Sequence, residues 1–481
     1  MVAVAGRRGR VEGPGIDDQP RSSLGDRRLG PALSGADWRG LPKIVLVEPA
    51  PPSVTLGKQA RGRKIVRMSR ASGGLARDVL KVPCKRLLAS GGLVNAGFAA
   101  SSVFVSLFFY VTSGSVTNMA LYSLGNYTGL TLGFLAMARW FPETSPRRLF
   151  RAGLGLNAMF YLLLIVLGRH AGALALELGL VGGMAAGTYW LGANTLTYDV
   201  LSPEGRGRYY GFNFAITSVL NFVMPLSAGV VIGRLGGQTG FVAVFAIALS
   251  AFVLAWWAAR GLSTTPGIGG VPLRRALAVP PVRTEWGRMW LALGMRGFKQ
   301  AAGGLGLIVL IALATHSSTA QGEFAAVASL AGVGTSVLAG RLRPASRALG
   351  MWVGAVGFAA TTVMLFFRAD FGMLMAYGAL SGFIYPGLMV PLAASVLDVI
   401  DTDPAAAQLR GAYMLSQEVA INAGRIAAVL VLLALLAVAK PVEAVVVVLG
   451  VAAALQLGAA HLGAAALEQS DASRGARGAL A

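Results

Sequence analysis

Five side chains in the second half of the sequence are of types that bind or carry charge, and they stand inside long apolar runs. They are Arg296 and Lys299, then Glu418, Asn422 and Arg425. The last three follow i, i+4 and i+7, so they share one face of a helix. Counted from the start of their own apolar run, Arg296 and Lys299 lie about 12 to 20 Å into it. Ionisable groups at such depth are costly, face the interior of a helix bundle, and mark paths for solutes or ions. Three cations meet one acid, so pairing of Glu418 with one cation leaves roughly two positive charges. That surplus suits an anionic or carboxylate-bearing solute. The other reading of the same residues is an ion cluster that locks two helices together. A proton carrier must be a buried acid, and Glu418 is the best-placed one, because the first apolar run holds neither Asp nor Glu.

The first half is uncharged but polar at matching depth. Asn95, Tyr122, Asn126, Tyr189, Asn194, Asn213, Thr217 and Asn221 lie inside apolar runs and are candidates to line the same cavity. Tyr377, Ser381 and Tyr385 repeat every four residues and join them from the second half. Such residues also tie helices together, which is the alternative for each. Metal and redox chemistry find no support. The three histidines, His170, His316 and His461, are scattered, and the single cysteine, Cys84, excludes an intramolecular disulfide. No nucleophile with a neighbouring base and no phosphate-binding loop is found, so neither an enzyme nor a cofactor is expected.

The elements that position these residues are legible from composition. Of 481 residues 55% are hydrophobic and 13% charged, with a mean hydropathy of +0.64, which describes a membrane protein. A spanning helix needs about 20 mostly apolar residues. Such runs fall near 89–111, 116–138, 149–168, 172–198, 211–234 and 239–259, and again near 288–314, 321–340, 346–367, 371–397, 411–438 and 441–463. Between the two sets lies a hydrophilic stretch, 262–287, that holds Pro266, Pro272, Pro280 and Pro281. Residues 1–84 are rich in Arg, Gly, Pro and Ser without an apolar period, which predicts a disordered basic tail. Two readings stay open for the part before Met68: a true tail, or residues upstream of the translation start. Residues 466–481 form a second tail.

The net charge of +21 is explained by loops rather than by nucleic acid. Alternate loops carry Arg139, Arg147, Arg148 and Arg151; Arg206 and Arg208; Arg260, Arg274, Arg275, Arg283 and Arg288; Arg341, Arg343 and Arg347; and Arg410. The opposite loops carry only Arg169, Arg234, Arg368 and Lys440. Retention of Lys and Arg on the cytoplasmic side places both termini in the cytoplasm, in the cytoplasmic (inner) membrane. The halves also match at a register of 200 residues: Gly97-Phe98 with Gly297-Phe298, Gly182 and Gly187 with Gly382 and Gly387, Gly211 with Gly411.

Six and six helices in parallel repeat about a basic central loop resemble the major facilitator superfamily over residues 85–465. The family's loop signature, Gly-x-Leu-Ala-Asp-Arg, is matched without its aspartate by Gly133-Phe-Leu135-Ala136-Met137-Ala138-Arg139, with Arg147 and Arg148 following. Leu338-Ala339-Gly340-Arg341-Leu-Arg343 echoes it in the second half. The resemblance implies that these arginines latch onto acids ending the fourth helix of each bundle, here Asp199 and Asp398. Helix 5 resembles the drug/proton antiporters of the superfamily at three positions, Gly211, Pro225 and Gly229. Glycines 125, 129 and 133 and glycines 179, 183 and 187 form ladders that read as packing faces.

The expected fold class is therefore an all-α integral membrane protein with two six-helix bundles, 85–261 and 288–465, joined by the cytoplasmic linker 262–287. The resemblance implies a monomeric secondary transporter surrounded by membrane lipid, exporting a small solute in exchange for protons by alternating access. An uptake symporter is the nearest rival. A non-transporting sensor or partner protein that keeps this fold is the rival of another class.

Overall fold

The computed structural model describes residues 82–478 except 201–202, 263–272, 341, 343–345, 401 and 404–405. All of them belong to the unit Met68–Ala481. The amino-terminal tail and the question of Met68 lie outside the described residues. In lipid every backbone N–H and C=O must be bonded within its own segment, so apolar runs fold as helices. The chain gives α1 Val82–Ser113, α2 Val116–Trp140, α3 Pro146–Leu167, α4 Ala175–Val200, α5 Pro203–Leu235, α6 Gly237–Ala258, α7 Glu285–Thr315, α8 Ser318–Gly340, α9 Arg347–Phe367, α10 in two pieces (Phe371–Ile384 and Pro386–Ile400), α11 Ala406–Leu436 and α12 Pro441–Gly478. Ten segments are apolar and long enough to cross a membrane. One of them, Pro146–Thr197, contains both α3 and α4, joined by the 3-10 turn Gly168–Leu174. The 25-residue α2 stands outside those ten. With it, twelve spanning helices are present among the described residues, and the protein is a multi-pass membrane protein.

Several helices reach past their hydropathy boundaries. Starts expected near 89, 211, 288 and 411 move out to Val82, Pro203, Glu285 and Ala406, and α12 runs on to Gly478. Hydropathy marks the stretch that meets lipid, whereas the i to i−4 ladder continues through polar residues beyond it. Local signals set several ends. Thr284 caps α7 by accepting from the Gly287 N–H at 3.0 Å, with Glu285 in the first turn. Asp370 caps α10 through the Met373 N–H at 3.0 Å. His316, at φ 50°, ends α7 in the left-handed region. Pro386 lacks an amide hydrogen and divides α10 at Tyr385.

Three backbone seams organise the packing. The glycine ladders of α2 and α4 face each other: a Cβ on Gly183 would overlap the Asn126 carbonyl oxygen, and one on Gly133 would stand 2.7 Å from that of Met184. In the second half, a Cβ on Gly424 of α11 would overlap the Gly294 carbonyl of α7, and one on Gly297 that of Ile421. Between the halves, α5 meets α8, where a Cβ on Gly229 would stand 2.7 Å from the Ser318 carbonyl oxygen. Around these seams lie cores rich in aromatic residues. Phe104, Phe108, Phe109, Phe245 and Phe252 are fully buried in the first half, where the Ser101 and Tyr161 hydroxyls share a 2.5 Å hydrogen bond.

The helices of the two halves follow one another at close to the 200-residue register, but the aligned glycines meet different partners. Gly97 turns to Phe252 of α6, whereas Gly297 turns to Ile421 of α11. Gly182 faces Phe160 of α3, whereas Gly382 faces the Ala328 backbone of α8. In a chain with 64 glycines, glycines align readily in sequence, while the face each one presents is set by its own helix.

Candidate functional site

The α7–α11 seam brings the charged residues together. With glycine at 294, 297 and 424 the two backbones touch, and the long polar side chains on either side meet across the seam. Arg425 donates from Nε and Nη2 to Gln300 Oε1 at 3.1 and 2.7 Å, and from Nη1 to Asn422 Oδ1 at 2.8 Å. Asn422 in turn donates to the Glu418 backbone carbonyl at 2.9 Å. The Arg425 guanidinium also lies 5.4 Å from the ring centre of Tyr127 on α2, a contact from one half of the molecule to the other.

Beside this group, Lys299 Nζ lies 3.5 Å from the ring centre of Tyr385 and 4.8 Å from that of Phe358. Arg296 stands within Coulomb range of Tyr385, Arg425 and Glu418. Its Nε is buried without a hydrogen-bond partner, as is the Tyr385 hydroxyl. The expected ion pair of Glu418 with one of the cations is not formed among the described residues: the pairs within 4.0 Å are Arg347–Asp398 and Arg368–Asp370. The reason is local, because the Arg425 guanidinium is taken up by two neutral oxygens. The arrangement therefore holds three cations beside one carboxylate, with buried donors at Arg296 and Tyr385 still unpaired. It can accept an acceptor-rich anion, since an unmade buried hydrogen bond is costly.

The remaining candidates divide by surroundings. Asn95 donates to Thr217 Oγ1 at 2.8 Å, pairing α1 with α5, and Asn213 Oδ1 lies nearby, 4.0 Å from the Cβ position of Gly91. Asn194 and Asn221 are exposed, and Asn126 is half-buried. Tyr122 stacks on Phe109 with ring centres 4.6 Å apart, Tyr189 packs on Phe98 and Phe150, and Tyr377 is 1% exposed. These three tyrosines are core side chains. Ser381 bonds its own helix at Gly378. Sequence reasoning missed Gln300, Tyr127 and Phe358. Gln300 follows Lys299 directly, but its turn towards Arg425 of α11 is set by the packing of the two helices and not by spacing.

At the arginine-rich end, Arg147 donates to the Leu262 carbonyl at 2.9 Å, while Arg139 and Arg148 are exposed. Asp398 is bonded by Arg347, the first residue of α9. Arg341 and Arg343, the side chain of Asp199 and the surroundings of Gly211 lie outside the described residues. Pro225 and Gly229 form the α5 side of the seam with Gly322 of α8. A cleft of about 720 Å³ lies at the opposite end, lined by Tyr110, Arg234, His316 and Ser318 among others. It is remote from the charged cluster, and we place the site at the cluster because unpaired buried donors there stand beside charged groups that reach from one half to the other. Among the described residues no group of three or more His, Cys, Asp or Glu is placed to hold a metal ion.

Several solved structures have a similar fold. A bacterial homologue of the human lysosomal transporter Spinster, inward-facing and unoccupied, superposes with a TM-score of 0.58 at 14% identity, covering 81% of this chain and 98% of that one. A bacterial homologue of the iron transporter ferroportin in an inward-facing state gives 0.58 at 16%, covering 80% and 98%. A POT family transporter in complex with 5-aminolevulinic acid gives 0.58 at 10%, covering 78% and 94%. The fold is that of the major facilitator superfamily. No family model matches the sequence. In sequence the chain is 29% identical over 355 residues to "Uncharacterized protein YqgE" of Bacillus subtilis (strain 168), covering 74% of this chain and 83% of that protein. It is 31% identical over 159 residues to "Uncharacterized protein in sodM 3'region" of Geobacillus stearothermophilus, covering 33% of this chain and 74% of that protein. The chain belongs to the family of that Geobacillus protein.

Proposed function

We propose that the protein is a secondary active transporter that moves a small anionic or carboxylate-bearing solute by alternating access, exporting it in exchange for protons. The observation that carries the reading is the cluster of Arg296, Lys299 and Arg425 beside Glu418, with the Arg296 Nε and the Tyr385 hydroxyl buried and unpaired. Arg425 sits where α11 faces Tyr127 of the other half, the place at which a bound solute touches both halves. In this reading Glu418 carries the coupling proton. The arginine-rich end faces the cytoplasm, and the bundles 85–261 and 288–465 rock about the cavity. Arg139, Arg147 and Arg148 latch Asp199 there, and Arg347 joins Arg341 and Arg343 at Asp398. Export rests on Gly211, Pro225 and Gly229 and their likeness to antiporters.

Flux through purified protein in lipid vesicles, with and without a proton gradient, tests the reading against panels of anionic and cationic solutes. Gradient-driven anion flux that falls in both Lys299→Ala and Arg425→Ala is expected. Unchanged anion flux in those two variants removes the anion site, and pH-driven flux that survives Glu418→Gln removes the carrier. Flux at the protein-free rate across a broad panel favours a non-transporting sensor.

A further inference from the structure

A second cationic group lies at the arginine-rich end of the first half, apart from the charged cluster. Arg86 of α1 donates to the Gly261 carbonyl at 2.6 Å, and Arg147 of α3 donates to the next one, Leu262, at 2.9 Å. Arg151 of α3 and Arg260, just past α6, both stack on Trp256, their guanidinium carbons 4.3 and 4.7 Å from the ring centre. Four guanidinium groups thus gather around one turn. Among the described residues none of them pairs with a carboxylate. Stacking occupies the flat face of a guanidinium and leaves its N–H edge available. Two buried polar atoms here have no partner: the Nε of Arg151 and the hydroxyl of Ser145, which precedes α3 and makes no cap bond.

Four like charges with unmet donors call for an anion, and the surroundings say which kind. The walls leading away from the arginines are apolar and exposed: Leu156, Met159 and Val166 on α3, and Val253, Leu254 and Trp257 on α6. A free phosphate has no use for such a wall, whereas the acyl chains of a lipid do. Tryptophan at the end of an apolar span is the side chain that settles at headgroup level. Basic groups at that level attract acidic lipids. We propose that this corner of α1, α3 and α6 is a binding site for one anionic glycerophospholipid. Its phosphodiester is held by Arg151 and Arg260, with Arg86 and Arg147 fixing the turn, and its chains lie along α3 and α6.

Native mass spectrometry of the full chain, delipidated in uncharged detergent, tests the site with phosphatidylglycerol, phosphatidylcholine and inorganic phosphate. Wild type is expected to retain one phosphatidylglycerol at least about tenfold in preference to phosphatidylcholine. Arg151→Gln combined with Arg260→Gln is expected to abolish that preference, and Arg283→Gln, at an exposed arginine elsewhere on the same end, to leave it unchanged. Should the double variant fail to fold, Arg260→Gln alone, at an exposed position, must still lower the preference. Equal retention of both lipids, an equal loss in Arg283→Gln, or no loss in Arg260→Gln overturns the site. Full displacement of the lipid by millimolar inorganic phosphate reassigns it to a soluble anion and overturns the lipid assignment.

Discussion

Replacing Gln300 by Glu changes the charge of the α7–α11 cluster with almost no change of shape. Gln300 Oε1 already accepts two bonds from Arg425 at 2.7 and 3.1 Å, so a carboxylate takes the same place and keeps Arg425 where it is. What changes is the surplus charge. Arg296, Lys299 and Arg425 would then face two carboxylates instead of Glu418 alone. For a substrate anion about 6 Å from the new charge, at an effective dielectric constant of about 20, Coulomb's law gives about 2.8 kcal/mol of repulsion. That corresponds to a rise in KM of about a hundredfold. Gln300→Ala is the control: it removes two bonds to a charged group, leaves the surplus charge intact and lets Arg425 swing free of its α7 anchor. It is expected to raise KM less, by about tenfold, with unaltered preference for anions over cations. The assay is initial flux of a labelled anion into vesicles at matched protein density. A Gln300→Glu protein whose KM stays within about threefold of wild type, while still folded, refutes the claim that the cluster works through its net positive charge.

Other expectations follow from the packing and the arginine-rich end. Gly183→Ala forces a Cβ against the Asn126 carbonyl and should destabilise the folded state by about 2 kcal/mol in equilibrium unfolding in mixed micelles; Gly183→Leu should yield no folded protein. Arg347 and Asp398 are bonded with side chains 20% and 30% exposed, so a double-mutant cycle with alanine should return a coupling of about 1 kcal/mol, and a value near zero would show the pair to be incidental. Tyr161→Phe leaves Ser101 still bonded to the Gly97 carbonyl at 2.6 Å, which limits the expected loss to about 1 kcal/mol in the same unfolding assay.

How much of this was legible in the sequence depends on which physical property wrote the signal. Span number and order were legible because burial in lipid demands long apolar runs, and each expected span contains the core of one helix. Helix ends were not, since Val82 and Gly478 are reached by backbone hydrogen bonding that hydropathy does not register. The glycine ladders were read as packing faces, and α2 and α4 pack through them, because a glycine every fourth residue leaves a smooth stripe whatever its partner. Charged residues were legible as a set, for their burial is expensive wherever they go. Neutral polar residues were not: Tyr122 and Asn95 look alike in an apolar run, yet one stacks in a core and the other bonds Thr217 across a helix interface. Gln300 decides where Arg425 points, and no spacing rule tells which helix a glutamine amide will turn towards.

The seam between α2 and α4 has a mechanical consequence. Most helix pairs meet through side chains that can change rotamer, and such contacts yield under load. Here carbonyl oxygens lie against Cα atoms at Gly125, Gly129, Gly133, Gly179, Gly183 and Gly187, over about 12 Å of each helix. Nothing in that seam can repack, and a slip of one residue would drive a Cβ into the opposite backbone. The two helices therefore act as a single stiff beam, with Tyr127 projecting from one half of it toward Arg425. A push on that ring is transmitted along the whole beam without slack, so a small displacement at the site becomes a rigid tilt of two helices together.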